Sequence, residues 1–157
     1  MTNPSTKKTI VLCFSLNYST YSEYLIALAN QLANTYRVMV VVDQIKEHPF
    51  QLSEEITVLK WPTASTTTIA DLKFFYQLCK KEKVKMVIAN FSAVNVAMIA
   101  SKLAGVPHRI AWARTVYNAG ERTRICNLRK GFVYSCASLV IANSKSKKED
   151  LIQNDYV

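Results

Sequence analysis

Glycine is scarce in this chain: three in 157 residues, at Gly105, Gly120 and Gly131. A GxGxxG or GxxxxGK[ST] loop needs clustered glycines, because its backbone must approach a phosphate with no Cβ in the way. Neither loop can be built here, which excludes a P-loop NTPase and a standard dinucleotide-binding fold. Cysteine is also sparse. Cys13, Cys79, Cys126 and Cys136 form no CxxC pair and show no metal-ligand spacing, so four free thiols, mostly in the core, are expected in a reducing compartment. The two histidines, His48 and His108, stand near neither a cysteine nor a carboxylate pair, and no metal site is expected. Long hydrophobic runs are missing as well. The longest pure aliphatic stretch, Val38 to Val42, is far short of the roughly 18 to 20 residues that span a bilayer. A basic patch precedes the apolar stretch from Thr9, but Asn17, Tyr18 and Ser19 follow where a signal peptide needs small cleavage-site residues. Residues 1–8 therefore read as a flexible tail entering a first strand, in a cytoplasmic protein. The Asn-x-Ser triplets at Asn17 and Asn90 then have no role as glycosylation acceptors.

Half of the residues are hydrophobic, which suits one compact domain over residues 9–157. Apolar runs rich in β-branched residues recur at Ile10–Leu16, Val38–Val42, Ile56–Trp61, Met86–Ala89, Arg109–Ala113 and Leu139–Ala142. Most are continuous rather than alternating, the pattern of parallel strands covered on both faces by helices. Helix starts are predicted from Thr20 with Glu23, Thr68 with Asp71 and Ser146 with Glu149, each with a hydroxyl three residues ahead of a carboxylate. The helix after Ser92 is expected to stop at Gly105, with Pro107 just beyond. Lys46–Glu55 reads as a surface loop. The order β-α-β-β-α-β-α-β-α-β-α predicts an α/β fold: an open, doubly wound, mostly parallel Rossmann-like sheet flanked by helices.

In such sheets ligands sit beyond the carboxyl ends of the strands. That rim is rich here in hydroxyls and amides, which suit sugar hydroxyls and phosphate oxygens. The candidate substrate-binding residues are Asn17, Tyr18, Ser19 and Thr20 after the first strand, Asn90 and Ser92 after the fourth, Arg114, Thr115, Tyr117 and Asn118 after the fifth, and Ser144 after the last. Ser, Thr and Asn are also the preferred helix caps, so Thr20, Ser92, Ser144 and Ser146 have a structural reading beside the functional one. Arg114 is different: an arginine directly after a buried strand must find a carboxylate or present its fork to an anion.

Net charge is +9, and residues 85–157 hold eleven basic against four acidic side chains, so +7 lies in the second half. That half is expected to meet something anionic. Its densest segment, Gly120–Ser138, interleaves Arg122, Arg124, Arg129 and Lys130 with Ile125, Leu128, Phe132 and Val133, as an amphipathic basic helix broken near Gly131. Such a helix either packs its apolar stripe on the sheet or lies in an anionic membrane interface.

Three stretches resemble a known family. SEYLIALANQLANTYRVMVVVD, with Glu23, Leu28, Ala29 and Leu32 before a strand, is similar to the first helix and second strand of GT-B glycosyltransferases, notably family 4. SLVIANSKSKKEDLIQNDYV resembles the last strand and following helix of that family's N-terminal domain, and PHRIAWA its fifth strand. The resemblance implies an acceptor-side domain, with a C-terminal domain, absent from this chain, that binds the nucleotide-sugar and carries a Glu-x7-Glu pair. It implies sugar transfer with retention of configuration and no obligatory metal, no cofactor held by this domain, and acceptor or phosphate contacts in the Asn17–Thr20 loop and after Ala113. The partner implied is a glycan or lipid-linked acceptor; a peripheral place on the inner face of the cytoplasmic membrane is the expectation that the basic Gly120–Ser138 segment adds. Two departures limit the resemblance. Asn17 to Thr20 stand where the family often has a Gly-Gly pair, and Trp112, Ala113 and Arg114 stand where many members carry a histidine. No catalytic residue can be named. The alternative is a non-catalytic basic module that holds nucleic acid or a phosphorylated partner, with Trp112, Tyr117 and Phe132 as stacking surfaces. No helix-turn-helix or RNP-like strand supports specific nucleic-acid binding. Nor is there a paired-carboxylate or Ser-His-Asp signal for a hydrolase, and the SxxK match at Ser144–Lys147 reads as a helix cap.

Overall fold

The computed structural model describes residues 7–16, 19–43, 51–64, 66–114 and 124–154. Its elements follow the expected order: β1 (Thr9–Cys13), α1 (Thr20–Ala33), β2 (Arg37–Val42), β3 (Thr57–Lys60), α2 (Ile69–Lys81), β4 (Met86–Asn90), α3 (Ala93–Leu103), β5 (His108–Ala113), α4 (Arg124–Ser135), β6 (Leu139–Ala142) and α5 (Lys145–Asn154). The six strands form one sheet in the order β3-β2-β1-β4-β5-β6, and every neighbouring pair is parallel.

This is the strand order of the dinucleotide-binding fold. The glycine count thus excludes the phosphate-binding loop, and the exclusion of the topology is corrected. Glycines are needed only where backbone touches pyrophosphate, whereas strands and crossovers are specified by apolar runs and helix patterns.

Because successive side chains point to opposite faces, β1 feeds two cores. Ile10 and Leu12 pack with Val38, Val40 and Val42 of β2 and with Leu25, Ile26, Ala29 and Ala33 of α1. Val11 and Cys13 pack on the other face with Met39, Val41 and Val87, under Phe75, Leu78 and Cys79 of α2 and Val94, Ala97 and Met98 of α3. All five β1 residues are buried, which is why the run is continuous rather than alternating. Burial pushes the Cys79 thiol up to about 12 and the Cys13 thiol well above its ordinary value. Cys136 is also buried, Cys126 is half-buried, and none of the four forms a disulfide.

The helix ends show where the cap signals were read correctly. At α2, Thr68 accepts from the Asp71 N–H at 3.3 Å and Asp71 accepts from the Thr68 N–H at 2.9 Å, a complete capping box. Asp71 also accepts from the Thr63 hydroxyl at 2.6 Å and the Thr63 N–H at 3.0 Å. Although burial opposes ionisation, these donors from Thr63 and Thr68 outweigh it and hold the carboxyl below its usual range. At α1 the cap is Ser19, not Thr20: Ser19 is extended and accepts from the Ser22 N–H at 3.3 Å, while Thr20 is already helical. At α5 the cap is Ser144, not Ser146, because its hydroxyl accepts the Lys147 N–H at 3.1 Å. The SxxK spacing is therefore a cap, and Lys147 forms a buried ion pair with Asp150 at 2.5 Å. Gly105, at φ +77°, ends α3 as expected.

The expected break at Gly131 is corrected, since α4 runs unbroken through it. An interior glycine costs a helix only about 1 kcal/mol relative to alanine, and the turn beyond it is anchored by buried Val133 and Tyr134. Of the expected α4 stripe only Val133 is buried in the core, while Ile125, Leu128 and Phe132 are 79%, 63% and 61% exposed. No helix among the described residues is long and apolar enough to cross a membrane.

Candidate functional site

Strand order locates the site. The chain leaves β1 toward β2 on one side and leaves β4 toward β5 on the other, so the loops beyond their carboxyl ends diverge and open a crevice. Five side chains, Tyr21, Tyr24, Asn90, Phe91 and Trp112, meet there, and two of them contact the Arg114 guanidinium. The turn entering α1 is pinned by its Ser19 cap and by the Ser22 hydroxyl, which donates to the Ser15 carbonyl at 2.8 Å. This brings Tyr21 and Tyr24, three residues apart on one helix face, against Trp112 of β5. Their ring centroids lie 5.7 and 5.9 Å from the Trp112 ring, both edge-to-face. Asn90 ends β4 directly beside Trp112 in the sheet register. Its amide donates to the Tyr21 hydroxyl at 2.6 Å across a sequence separation of 69 residues.

Phe91 follows, with φ +50°, in the left-handed region that a bulky side chain seldom occupies. Its ring is held 5.7 Å from Tyr21, edge-to-face, and remains 46% exposed. Arg114, directly after β5, lies in the corner these two rings make, 3.5 Å over Tyr21 and 5.1 Å from the centre of Phe91. No described carboxylate forms an ion pair with it. Burial raises the Tyr21 pKa; the Asn90 hydrogen bond and the Arg114 charge oppose this, and the phenol is neutral at physiological pH.

Beneath the cluster the polar accounting is incomplete. Asn90 is 3% exposed, and its Oδ1 has no hydrogen-bond partner among the described residues; neither has the buried Nε1 of Trp112. Turning the amide over would only exchange which of its ends is unpaired. Unpaired buried polar atoms cost stability; two of the four among the described residues are at this rim, the others being on Asn95 of α3 and Asn127 of α4. A second strained residue, buried Thr66 at φ +52°, donates its hydroxyl to Ser92 at 2.9 Å and ties the loop after β3 to the start of α3.

Of the residues expected at the rim, Asn90 and Arg114 are brought together. Ser19 and Ser144 serve as caps, Thr20 opens α1 without a capping bond, and Ser92 sits at the α3 cap position with no side-chain capping bond. Ser144 also lines a separate cleft of about 640 Å³ over β6 and α5, with Val140, Ala142, Asn143, Lys145 and Lys148. Asn17, Tyr18, Thr115, Tyr117, Asn118 and Arg122 lie outside the described residues. Arg124 opens α4, Arg129 is exposed on it, and half-buried Lys130 reaches to 6.0 Å from the Tyr134 ring. Sequence reasoning missed Tyr21, Tyr24 and Phe91, and saw Trp112 only as a stacking surface for nucleic acid. The available signals were two tyrosines three apart in the first helical turns and an aromatic placed straight after a buried strand. Among the described residues no three His, Cys, Asp or Glu side chains gather as metal ligands.

No protein-family profile matches the sequence, and no curated protein matches it. Solved structures share its fold. A glycosyltransferase from Rickettsia africae superposes with a TM-score of 0.66 at 17% identity, over 97% of this chain and 41% of that one. The UDP-GlcNAc 2-epimerase of Methanocaldococcus jannaschii gives 0.58 at 10% identity, over 92% and 42%. The Bordetella bronchiseptica enzyme WbmH, solved in complex with NAD+, gives 0.57 at 9% identity, over 87% and 56%. This chain therefore spans about half or less of the length of each of these structures. At these identities the likeness is one of fold.

Proposed function

We propose that this chain is the acceptor-binding half of a GT-B glycosyltransferase that moves a sugar from a nucleotide-sugar donor to a glycan or lipid-linked acceptor. The observation that carries this reading is the rim cluster of Tyr21, Tyr24, Phe91, Trp112 and Arg114 above the unpaired atoms of Asn90 and Trp112. Aromatic faces cover the apolar side of a pyranose, and the Arg114 N–H groups can donate to its oxygens. The fold shared with a glycosyltransferase and a UDP-GlcNAc epimerase supports the same direction. The family 4 assignment, retention of configuration and metal independence rest on the sequence resemblance. In the reaction the donor's anomeric carbon–oxygen bond to phosphate breaks and a bond to an acceptor hydroxyl oxygen forms. The hydroxyl proton is lost, and the nucleotide leaves with the bonding electron pair.

The donor is assigned to a second domain because the loop after β1 offers no glycine for backbone approach to a pyrophosphate. Attachment to the cytoplasmic face of a membrane is part of the same reading, favoured by the exposed stripe of α4. The test is to read the coding sequence beyond Val157 and assay the complete gene product for sugar transfer from nucleotide-sugar donors. A following α/β unit with a Glu-x7-Glu pattern, together with labelled sugar passing to a glycan or lipid fraction, is expected. A stop codon at that point with no transfer would replace this reading with the non-catalytic binding module.

A further inference from the structure

We infer that the acceptor carries an anionic group, a carboxylate or a phosphate, on or beside the sugar ring it presents, and that Arg114 is the residue that reads it. This rests on the acceptor-binding reading of the rim and names the class of acceptor.

One charge in the molecule is unusually placed. Arg114 follows a strand whose last residue, Ala113, is buried, and it sits at the carboxyl end of a parallel sheet, half-buried itself. Its surroundings are aromatic rather than acidic: Tyr21 at 3.5 Å, Phe91 at 5.1 Å, and no described carboxylate in an ion pair. Arg109, Lys7 and Lys147, by contrast, are held by carbonyl or carboxylate oxygens. Arg109 donates its Nε to the Cys136 carbonyl at 2.7 Å and an Nη to the Val106 carbonyl, Lys7 donates to the Ala33 carbonyl at 3.0 Å, and buried Lys147 pairs with Asp150.

Arg114 gives one hydrogen bond to the Tyr21 hydroxyl, and its remaining N–H donors are left for a further partner. A guanidinium fork matches two oxygens of one carboxylate or phosphate. The same rings displace water from the cation, so an anion arriving there meets a charge less screened than on an open surface. The rings also fix the side chain before binding, which lowers the entropy lost on association.

Phe91 points the same way. A phenylalanine at φ +50° is strained, and nothing about the turn itself requires an aromatic there; glycine or asparagine would serve the backbone better. What the strained geometry achieves is a half-exposed ring against both Tyr21 and the guanidinium. With the half-exposed Tyr24 on the same rim, this gives an apolar platform next to a fixed cation. A neutral sugar would use the platform and leave the cation idle, and a bare inorganic anion would do the reverse. A sugar with an acidic substituent uses both.

The experiment is a binding series on the full chain, followed by ligand-observed NMR and titration at low and moderate salt. The probes are methyl β-glucoside, methyl β-glucuronide, glucose 1-phosphate and inorganic phosphate. The acidic glycosides are expected to bind at least tenfold tighter than the neutral one, and the tighter of the two identifies carboxylate or phosphate as the natural group. Arg114→Gln should lower binding of the acidic glycosides at least tenfold and so erase that preference. Arg114→Lys, which keeps the charge but not the fork, should recover only part of it. Far-ultraviolet circular dichroism on both variants checks that the fold is retained. Equal binding of charged and neutral glycosides by the wild type overturns the inference and leaves the acceptor reading standing. Failure of every glycoside to bind overturns both. Inorganic phosphate binding as tightly as glucose 1-phosphate overturns the sugar requirement and makes the rim a simple anion site.

Discussion

At the residue scale, the site is made by side chains whose individual cost is visible. Phe91 holds a left-handed backbone at φ +50°, where a Cβ crowds the neighbouring carbonyl. Replacing it by alanine removes the ring and keeps the strain, whereas glycine removes both. Phe91→Gly is therefore expected to be more stable than Phe91→Ala by about 1 kcal/mol, read from denaturant midpoints, although glycine is the more flexible residue. If alanine is the more stable of the two, the turn is relaxed and the ring is not held by strain. The same scale shows what the sequence disclosed. Asn90 and Arg114 were legible because strand ends in a parallel sheet predict the rim, and an arginine after a buried strand demands a partner. Tyr21, Tyr24 and Phe91 were not, because aromatic residues next to apolar runs read as core. Only the tertiary contact between α1 and β5 separates a rim aromatic from a buried one. The hydroxyls misled for the opposite reason: capping and ligand contact use the same residue types, and Ser19 and Ser144 are spent on N–H groups of their own helices.

At the scale of elements, strands were read almost to their ends, since apolar β-branched runs report burial directly and β6 matches residue for residue. Helix starts were less exact. Where two hydroxyl residues lie near a helix start, as Ser19 and Thr20 do, only backbone conformation decides which one caps. The apolar stripe of α4 could not be assigned from sequence at all, because packing on a sheet and lying in a membrane interface require the same spacing. The structure shows Ile125, Leu128 and Phe132 in solvent beside the basic Arg129, while Val133 and Tyr134 anchor the helix to the core. Wild-type protein is accordingly expected to sediment with vesicles containing phosphatidylglycerol, more weakly with pure phosphatidylcholine, and less as salt rises. Changing Ile125, Leu128 and Phe132 together to serine should abolish sedimentation without lowering stability, because these side chains bury little in the fold. Undiminished sedimentation of the triple variant would remove α4 from any lipid contact.

At the scale of the whole molecule, strand order connects the core to the site. Continuous apolar runs establish that strands are parallel and covered on both faces, but they do not say which strand neighbours which. The order became visible only in the structure, and with it the crevice between β1 and β4 where Tyr21, Asn90 and Arg114 converge. That crevice depends on the two-sided packing of β1, and the packing contains its own probe. Cys79 of α2 lies in the core beneath the sheet with its thiol pushed up to about 12, and Cys13 of β1 belongs to the same cluster. In the unfolded chain a thiol loses its proton near pH 8.5, roughly the ordinary value. Between that pH and about 12 the unfolded state binds fewer protons than the folded one, so stability must fall as pH rises. Each buried thiol contributes a slope of up to about 1.4 kcal/mol per pH unit, and Tyr21 adds to it above pH 10, roughly where an unfolded phenol ionises. Denaturant midpoints at pH 8, 9 and 10 should decline steadily for the wild type and less steeply for Cys79→Ala. Identical slopes for the two proteins would mean that α2 is open to solvent on this timescale. The sheet face it covers would then be too loosely held to fix the Phe91 and Arg114 geometry on which acceptor recognition depends.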